Sequence, residues 1–582
     1  MQETKPKILI KKYKSLFLAA LSVEVVSYVV SLTDSIIAAN RVSIDALSAI
    51  GLVSPFFFIS VFIAGVINSG TIINYSYEIG KFNKKRAHEY FSEGIITAIA
   101  SGILIAVSLL ILRPIFVKTL NVSPEIIKFF NQYYKIIVFY LLIEPLSCLL
   151  DNIIVSDGGE YLSAVLNVLQ IVGNVILSYI LSEKHGVVGI AAATVACKAA
   201  FIILISIWFL GKKNSLVFLW YFSFSDLFQI IRRGIVRASS YATLSIMLWI
   251  LNAFVLNNYN AESFKVWIID QKILGLSTLF IGLTMTIQPM IGILRGEKNI
   301  KALKIILRIL NRDIVLIGGL CSILIILFTT YVLHGFDVKE GKIFELAISA
   351  LRITSVSLIF LAQMVLFFIY YYMIEKYRLA LLIGLIKDII CPVGLVALIE
   401  SFWDGNPYTL WIGLVVSQIT AVSLTIIIIY MRYGKDLFPL LLPKDTSKIH
   451  IYSFELSKEN AASMSETASE VLSTEGFSGN LLSLLGICIE DMLNLIIEKN
   501  QNSRKKMLAE CTIISEEDGV RMILRDDGII FNIEDGGMSN YSFTQYIVEN
   551  ILNRFDSKAY ALTSGYNRNE LFIAEKRRME AQ

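Results

Sequence analysis

The sequence predicts a membrane protein built of two unlike parts. One is an all-α bundle of twelve transmembrane helices in two six-helix halves; the other is a C-terminal α+β sandwich. Composition is the first support: 55% of the 582 residues are hydrophobic and only 17% charged, where a soluble domain carries about 25% charged residues. The mean hydropathy of +0.65 points the same way. Apolar runs, each long enough to cross a bilayer as a helix, recur between short polar loops. After Gly434 the pattern stops, and two prolines with polar residues read as a linker.

The runs fall near residues 15–39, 46–74, 91–112, 129–155, 161–182, 187–210, 229–257, 264–293, 305–332, 345–373, 379–400 and 408–431. This divides the chain into a basic tail (1–14), an N-terminal half (15–210), a C-terminal half (211–435), a linker (436–448) and a sandwich domain (449–582). Positive charge gathers in the tail and after the even-numbered helices, as in Lys81, Lys84, Lys85 and Arg86, or Arg295, Lys298 and Lys301. That bias predicts a multi-pass protein of the cell membrane with both termini cytoplasmic. The loop Ser156 to Glu160 has no positive charge and does not vote.

The halves repeat one another. GKFNKKRA from Gly80 matches GEKNIKAL from Gly296, and GVVGIAAAT from Gly186 matches TLWIGLVVS from Thr409, each pair about six helices apart. Halves in the same orientation are related by an axis along the membrane normal.

In the first run two acids, Glu24 and Asp34, interrupt apolar and hydroxyl-bearing residues. A charge at membrane depth costs at least about 2.5 kcal/mol, so Asp34 reads either as a functional carboxyl or as a wetted group near a helix end. A buried carboxyl can exchange its charge for a proton, and losing that charge lets a helix bend or repack. Glu144, Asp151, Lys198, Asp270, Lys272, Arg352, Lys387 and Asp388 are further charges inside runs, open to ordinary pairing or to transport. Glu144 precedes Pro145, a bending position suited to a cavity lining. Lys387 and Asp388 are expected near the surface if their helix is short, Tyr370 to Tyr372 as an interface belt, and Gln288-Pro289 as a kink. The six cysteines form no CxxC pair and the four histidines no HExxH, so neither a disulfide framework nor a zinc site is expected. The net charge of +4 gives no argument for nucleic acid.

TDSIIAANRVSIDALSAIGLVSP from Thr33 resembles the first-helix signature of the multidrug and toxic compound extrusion (MATE) transporters. IQPMIGILRGEKNIKAL from Ile287 and GNVILSYILSEKHGVVGIAAATVACK from Gly173 are similar to that family's eighth helix and its fifth–sixth hairpin. The resemblance spans roughly residues 10 to 435. It implies a V-shaped bundle that exports organic cations or amphiphiles on an H⁺ or Na⁺ gradient. Asp34 falls on the family's coupling acid, and Asn174 on a polar position that binds the cation in some members. The acid that follows one turn later in those members is Ser178 here.

In the last part, IHIYSFEL from Ile449 reads as a strand, and Ala461 to Ser473 and Leu481 to Glu498 as helices. A hairpin turns at Glu516 to Gly519, another helix starts near Asn540, and a second hairpin starts at Lys558. Glu490 and Asn494 share a helix face at i and i+4. With LRDDGIIFN from Leu524 they resemble the GHKL ATPases, closest to the anti-sigma-factor serine kinase branch. The resemblance implies ATP with Mg²⁺: Glu490 as general base, Asn494 on Mg²⁺, Asp526 on the adenine amino group, and Gly528 allowing close approach of the base. The sequence departs from the family where a glycine-rich lid should precede the 540–555 helix, at Ile530 in place of a second glycine, and at Glu498-Lys499-Asn500, which lacks a histidine. Without free backbone N–H groups phosphate binding weakens, so a degenerate regulatory module, acting on a cytoplasmic partner protein, stands beside ATP binding.

The whole reads as an ion-driven exporter of organic cations or amphiphiles with a tethered cytoplasmic nucleotide-binding or regulatory domain. A membrane-anchored serine kinase using the bundle as sensor is one alternative. A flippase for lipid-linked saccharides, which would want a more basic cavity, is the other.

Overall fold

Apolar runs in lipid satisfy their backbone hydrogen bonds internally, and here they do so as helices. The computed structural model describes the chain except residues 43, 82, 120–123, 210–215, 260–262, 264–265, 268–269, 271–275, 286, 336–340, 404–405, 407, 436–439, 443–445, 502–505, 530–553, 564 and 576–582. The side chains of some further helical positions, Asp34 among them, also lie outside the described residues. The first helices are α1 (Lys7–Arg41), α2 (Ile44–Gly80), α3 (Lys84–Thr119), α4 (Pro124–Ser156), α5 (Glu160–His185), α6 (Val187–Phe209) and α7 (Phe224–Asn258). They outrun the apolar segments because ends such as KKRAHEY continue the helix beyond the apolar stretch.

Later helices are broken where proline dictates. The segment after 276 forms α8 (Ser277–Met285) and α9 (Gln288–Gly296), with Pro289 in the first turn of α9, where its missing N–H costs nothing. Then come α10 (Ile300–Gly335), α11 (Lys342–Ser355), α12 (Ser357–Met373), α13 (Tyr377–Leu385), α14 (Cys391–Glu400) and α15 (Tyr408–Tyr433). A π-helical turn, Ile386–Ile390, joins α13 to α14 just before Pro392. Pro392 has no N–H for the carbonyl four residues back, and a π-bulge is one way to absorb that loss.

Two expectations are corrected here. Lys387 and Asp388 are buried in the π turn, not near a surface. They form an ion pair, Thr243 donates to Asp388 at 2.6 Å, and Gln418 donates to the Lys387 carbonyl at 3.2 Å. Tyr370, Tyr371 and Tyr372 are at most 1% exposed and form no interface belt. Helix α12 is packed by α8, α10, α13 and α15, so all its sides face protein. Arg352, by contrast, is exposed. Among the described residues ten helices are long and apolar enough to span a membrane; one of them, Gly479–Lys499, belongs to the C-terminal domain. None of the six cysteines forms a disulfide.

The bundle has separate apolar cores. One is built from α1, α2, α3, α4 and α6, around Ala49, Ile137 and Ile190. The other draws on α7 to α15, and takes in Leu9, Tyr13 and Phe17 from the start of α1. Helix α1 therefore belongs to both halves, its first turns to one core and Ile37 and Ala38 to the other.

The C-terminal domain has β1 (Ile449–Glu455), α16 (Lys458–Thr474), α17 (Gly479–Lys499), β2 (Leu508–Ser515), β3 (Gly519–Asp526), β4 (Ser557–Thr563) and β5 (Tyr566–Ala574). Ser457 and Ser478 cap the two helices. The sheet order is β1-β2-β3-β5-β4, antiparallel throughout. Side chains alternate between its faces. Tyr452, Cys511, Met522 and Leu524 face α16 and α17, whereas Ile451, Ile514, Ile523 and Tyr566 join the bundle core. The sheet thus lies between its own helices and one end of the bundle. The chain's first residues run along β1, with Thr4 N donating to Ile451 O at 2.9 Å and Ser453 N to Thr4 Oγ1 at 2.6 Å.

His450 fastens this edge, with Nδ1 2.6 Å from Glu3 and Nε2 2.9 Å from Glu475. The hydrogen bond to Glu475, opposed by burial and helped by Glu3, raises its pKa. A free imidazole titrates near about 6.5. The stabilisation is therefore complete below that pH and is lost as pH rises through the higher folded value. His450→Gln is expected to lower the melting temperature at pH 5.5 and to change it least at pH 8.5, read by thermal unfolding of the full chain across pH.

Candidate functional site

Helices α1, α2, α4, α5 and α8 enclose a cavity of about 240 Å³ at the end of the bundle nearer the C-terminal domain. Its polar lining includes Glu24, Asn68, Glu144, Asp151, Glu160 and Asn167. Each carboxylate whose partners are resolved has a specific one. Lys198 from α6 pairs with Glu144 at 2.8 Å, and Lys12 from α1 with Glu160 at 2.5 Å. Asp151 accepts from Ser163 at 2.5 Å and from Asn167 at 3.1 Å. Among the described residues, four carboxylates thus line the chamber, two of them paired with lysines and Asp151 held by neutral donors, and their oxygens can meet a cation. Gly282 of α8 lies against Glu24: a Cβ there would sit 1.9 Å from Glu24 Oε1. Any side chain at that position would push the carboxylate aside.

Pairing and hydrogen bonding answer the cost of charge at this depth. Glu144 and Lys198 are each 13% exposed, charges on neighbouring helices that need one another. On α5 the polar residues Glu160, Ser163, Asn167, Gln170, Asn174 and Ser178 recur at three- and four-residue spacing, a stripe along an otherwise apolar helix. Sequence reading singled out Glu144 and Asp151 but missed Glu160, Ser163 and Asn167; that spacing was the signal. Asn174 lies further along the stripe. Its Oδ1 accepts from Ser178 at 3.2 Å and from Thr194 of α6 at 3.3 Å. Asp34 sits in the later part of α1, with its side chain outside the described residues.

In the C-terminal domain, Glu490 and Asn494 lie one turn apart on α17, half-buried. Asn494 Oδ1 is buried without a hydrogen-bond partner. Asp526 ends β3 and is 0% exposed. Its Oδ1 accepts from Asn567 at 2.9 Å and from Gly528 N at 3.1 Å, while Oδ2 has no partner. Burial, only partly offset by those two donors, pushes its pKa up to about 6. A Cβ at Gly528 would lie 2.8 Å from the Asn500 amide, so any side chain there would displace Asn500 and Asp526. The residues of the expected glycine-rich lid, 530–553, lie outside the described residues. No group of three or more potential metal ligands occurs among the described residues.

Removing one member of a buried ion pair strands the other, at roughly 3–5 kcal/mol. Lys198→Met is expected to lower the thermal unfolding midpoint of the detergent-solubilised chain clearly, and Glu144→Gln with Lys198→Met to recover most of the loss. Equal midpoints for single and double variants would contradict the pairing.

The MatE family model matches residues 20–180. No curated protein matches the sequence. Solved structures do. An outward-facing multidrug resistance MATE family transporter of the MOP superfamily is 21% identical with a TM-score of 0.68, covering 74% of this chain and 98% of its own. A MOP superfamily transporter from Pyrococcus furiosus, described as having a binding pocket of reversed polarity that suggests a different function, is 21% identical with a TM-score of 0.67, covering 74% and 96%. A MATE protein in a straight conformation is 20% identical with a TM-score of 0.68, again covering 74% and 96%. The membrane bundle thus has the fold of MATE-type multidrug transporters.

Proposed function

We propose that this protein exports organic cations or amphiphilic compounds across the cell membrane, driven by an H⁺ or Na⁺ gradient. Both termini and the C-terminal domain lie in the cytoplasm, the side on which the sequence gathers its lysine and arginine. The carboxylate-lined cavity inside a MATE-type bundle carries the reading. A flippase for lipid-linked saccharides would need a basic chamber. Here Lys198 is neutralised by Glu144 and Arg352 lies at the surface, while Lys272 lies outside the described residues. Asp34 is the coupling carboxyl, and the α5 stripe through Asn174 to Asp151 is the polar route for the ion. Protonation or cation binding removes a buried charge and lets α1, shared by both cores, change its alliance between them.

The test is efflux of a fluorescent organic cation from vesicles under imposed pH or Na⁺ gradients. Wild type is expected to export. Asp34→Asn should lose the gradient dependence, and Asp151→Asn should slow transport about tenfold or more, as loss of about 1.4 kcal/mol would. Unchanged gradient-driven export in Asp34→Asn removes that residue from the mechanism.

A second role for the C-terminal domain is nucleotide binding, favoured by the partnerless, buried Asp526 Oδ2 and Asn494 Oδ1. Asp526 would accept from the adenine amino group, with Gly528 leaving room for the base, while Asn494 would hold Mg²⁺ and Glu490 serve as base if turnover occurs. Bound Mg-ATP would supply a transferable phosphoryl group. Binding of a fluorescent ATP analogue to the full chain is expected to weaken strongly in Asp526→Asn; equal affinity would argue for a nucleotide-free regulatory module.

A further inference from the structure

The two glycines that open the matched repeats meet in the structure. Gly80 ends α2 in the first half, and Gly296 ends α9 in the second. A Cβ on Gly80 would lie 3.0 Å from the Gly296 Cα, and one on Gly296 2.6 Å from the Gly80 Cα. Backbone touches backbone, and the halves are closed against each other at this end of the bundle.

Arg568 of β5 spans that closure. Its guanidinium donates to Ile79 O at 3.1 Å and to Gly80 O at 2.9 Å, the last carbonyls of α2. A helix leaves such carbonyls unsatisfied and partly negative, so a cation is favoured there. Nε of the same side chain lies 2.7 Å from Glu297, the residue after Gly296. Glu297 is held from its other oxygen by Arg525 of β3, and Arg525 donates to Glu510 of β2 at 2.9 Å. Glu297, Glu510, Arg525 and Arg568 are all 0% exposed. One side chain of the C-terminal domain therefore holds the end of one half through its backbone, and the end of the other through a carboxylate.

Flanking contacts also reach both halves. Lys298 pairs with Glu516 at 2.6 Å, and Lys301 donates to Ile449 O at 2.9 Å. On the other side, Gly565 in the β4–β5 turn approaches Gly158 in the α4–α5 turn and Lys12 of α1. A domain merely tethered beside the bundle would touch one half, through rim charges worth little. This one inserts charges that become costly when separated.

We propose that the C-terminal domain is a releasable clamp across the two halves of the bundle. Docked, it holds the Gly80–Gly296 end shut, and that end opens only when Arg568 leaves either the α2 carbonyls or Glu297. The proposal rests on the transport reading above, because only a bundle whose halves separate has anything to clamp.

Double electron–electron resonance on the full chain in lipid nanodiscs tests it, with spin labels carried on unnatural amino acids at Lys85 and Lys376. Both positions are exposed and neither belongs to the clamp. Wild type should give one short distance. Glu297→Gln and Arg568→Ala should add a longer one, raising the separated population about 5- to 150-fold, the usual range for coupled sites. Variants that melt as wild type does and keep its single distance overturn the clamp. If Arg568→Ala does not fold, Glu297→Gln, which keeps the side chain's shape, decides alone. Efflux measured on the same samples separates the two claims: a wild type that exports nothing sinks the transport reading, while the distance change in the variants still supports the clamp.

Discussion

Glu297 lies between two arginines where water does not reach, and the placement of the C-terminal domain depends on it. Its carboxylate is buried between Arg525 and Arg568, and removing either guanidinium would leave part of a buried charge unanswered. Neither guanidinium could be buried without a counter-charge, and Glu510, Thr512 and the carbonyls of Ile79 and Gly80 accept further N–H groups, although Arg525 Nε is buried without an acceptor. Burial pushes the pKa of the Glu510 carboxyl up, against the pull of Arg525. It depresses that of Arg568, even with Glu297 and Glu570 beside it. Such a cluster tolerates few arrangements: a shift of one residue along β3 or β5 would send every charge to the opposite face of the sheet.

From this contact the rest can be followed into the membrane. Lys12, which lies against the β4–β5 turn, is also the partner of Glu160, and Glu160 lines the carboxylate-lined cavity. Ser15, one helical turn further along α1, donates to the same carboxylate. The wall of the cavity and the surface that receives the C-terminal domain therefore share one side chain. Helix α1 carries both ends of this connection and belongs to both apolar cores.

Much of the bundle was legible because lipid leaves a helix few options. Apolar runs became helices, Pro289 marked a break, and Glu144 before Pro145 did line the cavity. The polar stripe of α5 was readable by spacing, yet Glu160 looked like a loop residue because helices outrun their apolar centres. The tyrosines of α12 misled because an aromatic cluster looks the same in sequence whether lipid or other helices surround it. In the C-terminal domain, the sequence reads as a strand and two hairpins, with no faces assigned. It could not reveal that Glu510, Arg525 and Arg568 face the bundle, because a strand's period specifies a side and not what covers it. Glu297, the partner of both arginines, is more than two hundred residues away in the chain.

The central claim is that closure of the bundle at the Gly80–Gly296 end and docking of the C-terminal domain are one event. A single-particle structure of the full chain in lipid, captured with α2 and α9 apart at those glycines, tests it most directly. The account predicts that Arg568 will then have let go of the α2 carbonyls or of Glu297. A structure open at that end with both contacts intact would contradict it.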